Sequence, residues 1–82
     1  MNIYSVINII DTDSIKMESV INSCETPLQL MSCLNWLSSI CKKWTFLCKK
    51  LKKEDYIYCS NHINDQYTDL LNLINNDNLR CG

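Results

Sequence analysis

Apolar residues recur at helical spacing from Thr26 to Lys53. On a helix turning about 100° per residue, Leu30, Cys33, Leu34, Leu37, Ile40, Cys41, Trp44, Leu47, Cys48 and Leu51 fall on one side, the i, i+3, i+4, i+7 stripe that faces a core. The opposite side carries Lys42, Lys43, Lys49, Lys50 and Lys53, so the pattern predicts one long amphipathic helix over 27–53. Its start is well marked. Thr26 can cap, Pro27 suits the first helical position, and Gln29 stands where a capping box needs its second partner. Phe46 projects among the lysines and should be partly exposed, and Trp36 lies at the edge of the stripe.

Upstream, Ile3, Val6, Ile7, Ile9 and Ile10 form a short apolar run compatible with a buried strand or a helical turn, of which the helix is the preferred reading. Asp11, Thr12, Asp13 and Ser14 offer several N-caps for a short helix carrying Ile15, Met17, Val20, Ile21 and Cys24 and ending near Ser23, with a connection of a few residues before Pro27. Downstream, Glu54, Asp55, Tyr56, Ile57 and Tyr58 are compatible with an extension of the helix, a brief extended stretch or the start of a loop ending at Ser60-Asn61, of which the turn is the preferred reading. A third amphipathic helix, marked by Ile63, Tyr67, Leu70, Leu71 and Ile74, then starts at Ser60 or Asn61 and ends in Asn75-Asn76-Asp77-Asn78, leaving Leu79 to Gly82 as a loose tail unless Leu79 or Cys81 docks. The expectation is a single all-α domain over 1–82, a small bundle of three main helices around the long one, with a short N-terminal helical or extended segment.

Composition changes this picture in three ways. A chain of 82 residues buries only about 60% of the surface its unfolded form exposes, so a staple or a partner would add useful stability. The net charge of −1 hides a division, because six of the eight basic residues lie between Lys42 and Lys53. Ten asparagines and ten isoleucines beside one glycine and no alanine point to AT-rich codons, as in a large DNA virus, a parasite or an AT-rich bacterium. That bias alone accounts for most of the asparagines.

No run approaches the length of a membrane span, and residues 1–11 lack the basic and small-residue features of a secretory leader, so a cytoplasmic protein with reduced cysteines is expected. Cys33, Cys41 and Cys48 lie on the stripe, where cysteine behaves as a small hydrophobe. Spaced seven or eight residues apart, they are separated by roughly 10 to 12 Å along a straight helix and cannot bridge one another. If all six cysteines pair, each of the three joins one of Cys24, Cys59 and Cys81, which leaves six connectivities.

Cys59 and His62 have the spacing of half a zinc site but no evident second half. As a thiol and base pair they lack an orienting third residue and a glycine-rich oxyanion hole. With Gly82 the only glycine, no phosphate-cradling loop exists, so no catalytic residue, cofactor or metal is assigned. The candidate interaction residues are Trp36, Phe46, Lys42, Lys43, Lys49, Lys50 and Lys53. The expected function is a non-catalytic protein-interaction module, an adaptor or modulator. A viral accessory factor acting on a host protein is one form of it, and a second copy of the chain is one candidate partner, since a helix over 27–53 carries more stripe than two short neighbours cover. The alternative is non-specific, salt-sensitive nucleic-acid binding by the lysine face; a zinc or disulfide-stapled helical module comes third.

Overall fold

The structure, a computed structural model, describes residues 2–81, with side chains placed as far as Asp77. It is an all-helical bundle of three elements, α1 (Ile3–Ser23), α2 (Pro27–Cys48) and α3 (Lys53–Cys81), drawn out into a rod of 43 × 15 × 15 Å in which each helix packs on both others. Contacts between Asp13 and Trp44, between Asp11 and His62, and at a groove shared by Leu30 and Ile74 fix the order as up, down, up.

Three expectations about the elements are corrected. The N-terminal run and the short helix are one helix of 21 residues, capped by Asn2, whose side chain accepts the Ser5 N–H at 2.9 Å. Its buried positions Val6, Ile10, Ser14, Met17 and Ile21 continue one stripe straight through the supposed cap region. Ser14 fits this stripe because its hydroxyl donates to the Ile10 carbonyl at 2.8 Å, which satisfies the polar group inside the helix.

The helix expected over 27–53 stops at Cys48, and α3, with 29 residues, is longer than α2, with 22. Beyond Cys48 the chain tightens into i to i−3 hydrogen bonds, Lys50 N to Leu47 O at 3.2 Å and Leu51 N to Cys48 O at 3.0 Å. A straight continuation would have carried Lys52 and Asp55 onto the apolar side, whereas the turn lets Leu51 pack back against the core. Residues 54–60, read as a turn, form the first turns of α3, where Glu54 and Asp55 complement the positive helix N-terminus. The third helix begins at Lys53 rather than near Asn61, and its backbone continues past the asparagines to Cys81. Docking of the Leu79 or Cys81 side chain lies outside the described side chains.

The entry to α2 follows the expected chemistry. Gln29 N–H donates to Thr26 Oγ1 at 3.2 Å, and Gln29 Oε1 in return accepts from Thr26 N at 3.2 Å and Glu25 N at 2.7 Å. These reciprocal bonds supply partners to the backbone groups at a helix start. The connection from α1 is only Cys24, Glu25 and Thr26.

The core is one cluster: Val6, Ile10, Met17 and Ile21 from α1, Leu30, Leu37, Ile40 and Trp44 from α2, and Ile63, Leu70 and Ile74 from α3, with Cys24, Cys33, Cys48 and Cys59 among them. Removing a large aliphatic side chain of this kind from water is worth about 1.5–3 kcal/mol. Trp44 is fully buried, and its indole Nε1–H donates to Asp13 Oδ2 at 3.0 Å, which answers the one polar need of the largest core residue.

Candidate interaction surface and cysteine pairs

The α2 stripe is covered rather than open. Of its ten residues only Leu34 is exposed, because the flanking helices, 21 and 29 residues long, match the length of α2. The argument for a partner therefore moves from the stripe to the outer face of α2.

That face has two unlike halves. Near the start of α2, Leu28 is 73% and Met31 61% exposed, and Met31 and Leu34 border a groove closed on the α3 side by Ile74 and Asn75. About three turns on, Ser38, Cys41, Lys42, Thr45, Phe46, Lys49 and Tyr67 line a second groove between α2 and α3. Phe46 is 62% exposed, and the Lys50 ammonium sits 4.8 Å from the centre of its ring, a cation–π geometry. From Leu28 to Lys49 the face runs for roughly 32 Å at 1.5 Å per residue.

The predicted interaction residues divide accordingly. Lys42, Phe46, Lys49 and Lys50 come together. Lys43 turns to the other side, where its ammonium pairs with Asp13 at 2.7 Å in a groove shared with Asn8, Ile9, Thr12 and Leu47. Burial alone would push the Asp13 carboxyl up. The Lys43 and Trp44 hydrogen bonds, with the charges of Lys43 and Lys16, outweigh it and hold the group below its ordinary value. Lys53 is exposed at the start of α3, and half-buried Trp36 lines a separate groove between α1 and α2. Leu28 and Met31 were not anticipated. Their signal lies in the pattern, because both are apolar yet project away from the stripe.

Cys59 and His62 do not form a site together. The Cys59 thiol packs fully buried against Cys48, while His62 Nε2 meets Asp11 Oδ1 at 2.7 Å. No group of three or more histidine, cysteine, aspartate or glutamate side chains suited to a metal ion occurs among the described residues, and no helix among them is long and apolar enough to cross a membrane.

The cysteines meet across the helix connections. Cys24 and Cys33 place their sulfurs 3.5 Å apart, and Cys48 and Cys59 interact at the other end of the rod. Burial, then the neighbouring Cys24, pushes the Cys33 thiol up to about 11. Burial, then the charge and hydrogen bond of Cys59, pushes Cys48 up to about 12. Cys59 is also raised, by burial and by the charge of Asp55, against a hydrogen bond from Cys48 that lowers it. Comparison of the chain with family models, with curated proteins and with solved structures gives no match.

Proposed function

We propose that the chain is a non-catalytic protein-interaction module whose partner docks along the outer face of α2. The observation that carries this reading is Phe46, a large aromatic left exposed among Lys42, Lys49 and Lys50 on the same face as exposed Leu28 and Met31. An exposed aromatic bordered by long cationic side chains has the composition of an interface anchor. Apolar anchors at one end and ammonium groups at the other fit an amphipathic partner helix that is leucine-rich at one end and carries aspartates and glutamates at the other.

A second copy of the chain supplies this complement poorly. A two-fold contact through the same face sets lysines against lysines if the α2 helices run parallel, and lysines against Leu28 and Met31 if they run antiparallel. α2 itself carries no carboxylate to answer the ammonium groups in either arrangement, so a different protein is the occupant favoured here.

The test is a peptide-display selection on the native protein from a library of 20-residue helices with randomised charge and apolar positions. The expected winners carry acidic residues at one end and leucine, isoleucine or phenylalanine at the other, and bind at least tenfold more weakly to a Phe46→Ala, Met31→Ser double variant. Winners that bind the variant equally well would overturn the reading. So would duplex DNA binding with a steep salt dependence in the absence of any peptide enrichment, which would favour the phosphate-binding alternative.

A further inference from the structure

We propose that Cys24 and Cys33 form a thiol–disulfide exchange site, which accepts a low-molecular-weight disulfide and closes into a reversible covalent staple between the end of α1 and the start of α2. The proposal rests on three features of position that no other pair of described cysteines combines.

The first is contact. The two sulfurs lie 3.5 Å apart, so bond formation needs a closure of only about 1.5 Å to reach the ordinary S–S length near 2.05 Å. The second is freedom to close. Cys33 is held within α2, but Cys24 is the C-cap residue of α1, with extended backbone angles of φ −69° and ψ 137°, in a connection of three residues. Its side chain stands outside the regular helix, where its thiol donates a weak bond to the Val20 carbonyl at 3.3 Å. The third is access. A groove lined by Val20, Ser23, Gln29, Ser32 and Trp36 has both cysteines in its wall, and they are 8% and 5% exposed. A small disulfide can enter there, with the Trp36 ring and Val20 offering apolar contact and the hydroxyls of Ser23 and Ser32 offering hydrogen bonds.

Cys48 and Cys59 show what is missing elsewhere. They also touch, but Cys48 is the last residue of α2, Cys59 stands inside α3, and both are fully buried, so a reagent reaches them only when the bundle opens. Cys41 opens onto the opposite groove beside Tyr67.

The chemistry balances with the disulfide as the named oxidant. The Cys24 thiolate attacks one sulfur of R–S–S–R, forming a mixed disulfide on Cys24 and releasing RS⁻. The Cys33 thiolate then attacks the Cys24 sulfur, forming the Cys24–Cys33 bond and releasing the second RS⁻. The two protons leaving the protein thiols are taken up by the two RS⁻. The protein pair is oxidised by two electrons, and the small disulfide is reduced to two thiols. The product encloses the turn from Cys24 to Cys33 and fixes the angle at which α1 enters α2.

The test incubates the native protein with oxidised glutathione, quenches in acid, blocks remaining thiols and digests without reduction using glutamate- and lysine-specific proteases. The expected first product is peptide 19–25 linked to peptide 26–42, with fragmentation placing the bond at Cys33, not Cys41. It should form at least tenfold faster than any link between peptide 44–49 and peptide 55–82. In Cys33→Ser the glutathione adduct should remain trapped on Cys24, and in Cys24→Ser no intramolecular bond should form in that region. Links to Cys41, faster closure of Cys48 with Cys59, or a glutathione adduct on Cys24 that persists in the native sequence would each overturn the proposal.

Discussion

The polar contact that holds the Trp44 indole at the edge of the core can be tested by removing Asp13. A single oxygen, Asp13 Oδ2, serves two donors, the fully buried Trp44 indole at 3.0 Å and the half-exposed Lys43 ammonium at 2.7 Å. These are unequal losses. Asp13→Ala leaves the indole N–H without its acceptor, at a cost of about 1–3 kcal/mol. Loss of the ion pair adds at most about 1 kcal/mol, because Lys43 is screened by water. Removing a partly buried carboxylate returns some of its desolvation cost, so the net expectation is about 2 kcal/mol, or a Tm lower by about 8–16 °C in a domain of this size. Lys43→Ala removes only the exposed pair and should cost about 1 kcal/mol or less. Thermal and urea unfolding followed by circular dichroism measure both, and a double-mutant cycle of Asp13→Ala with Trp44→Phe should give a coupling of about 1–2 kcal/mol. Equal losses for Asp13→Ala and Lys43→Ala, or no coupling to Trp44, would refute the assignment of the indole bond as the larger contribution.

The same site sets an acid response. The folded Asp13 carboxyl has a depressed pKa, so its stabilisation is fully present above the ordinary carboxylate value and is lost as pH falls through the lower folded value. The stability gap between the native protein and Asp13→Asn should therefore narrow below about pH 4. Thr26→Ala breaks the capping box and should cost about 1 kcal/mol, read as a Tm fall of about 4–8 °C. Phe46→Ala, at an exposed position, should change stability by less than about 0.5 kcal/mol while weakening capture of acidic amphipathic peptides; a large Tm loss would mean that Phe46 is packed. Cys48, with its thiol pushed up to about 12, presents roughly one thiolate in 10⁴ at pH 8, so half-buried Cys41 should alkylate far sooner in mass-spectrometric time courses.

The helical class, the entry to α2 and most of its buried face were legible because each rests on local information. Thr26, Pro27 and Gln29 carry their meaning within four residues, and the capping bonds follow. The errors occurred where a residue's partner is distant in sequence. Asp11 and Asp13 look like caps because short polar side chains favour helix starts, but here Asp11 meets His62 and Asp13 meets Lys43 and Trp44. The end of α2 had a signal that the stripe overrode: lysines up to position 53 followed by Glu54 and Asp55 reverse the charge as a helix C-terminus followed by a new N-terminus would.

The cysteines show how far a local argument reaches. Helical rise excludes pairing among Cys33, Cys41 and Cys48 and so, were all six cysteines paired, would send each of them to Cys24, Cys59 or Cys81, but it cannot choose between those partners. The choice comes from chain direction. With α1 and α2 antiparallel and joined by three residues, Cys24 must lie beside the second turn of α2, where Cys33 stands. With α2 and α3 antiparallel, Cys48 at the end of one helix lies beside Cys59 in the second turn of the next. Both pairs follow from the positions of the helix breaks, and a helix continued to Lys53 would have carried Cys59 away from Cys48. The boundary at Cys48 therefore decides the cysteine chemistry as well as the fold, and that boundary depends on Leu51 returning to the core.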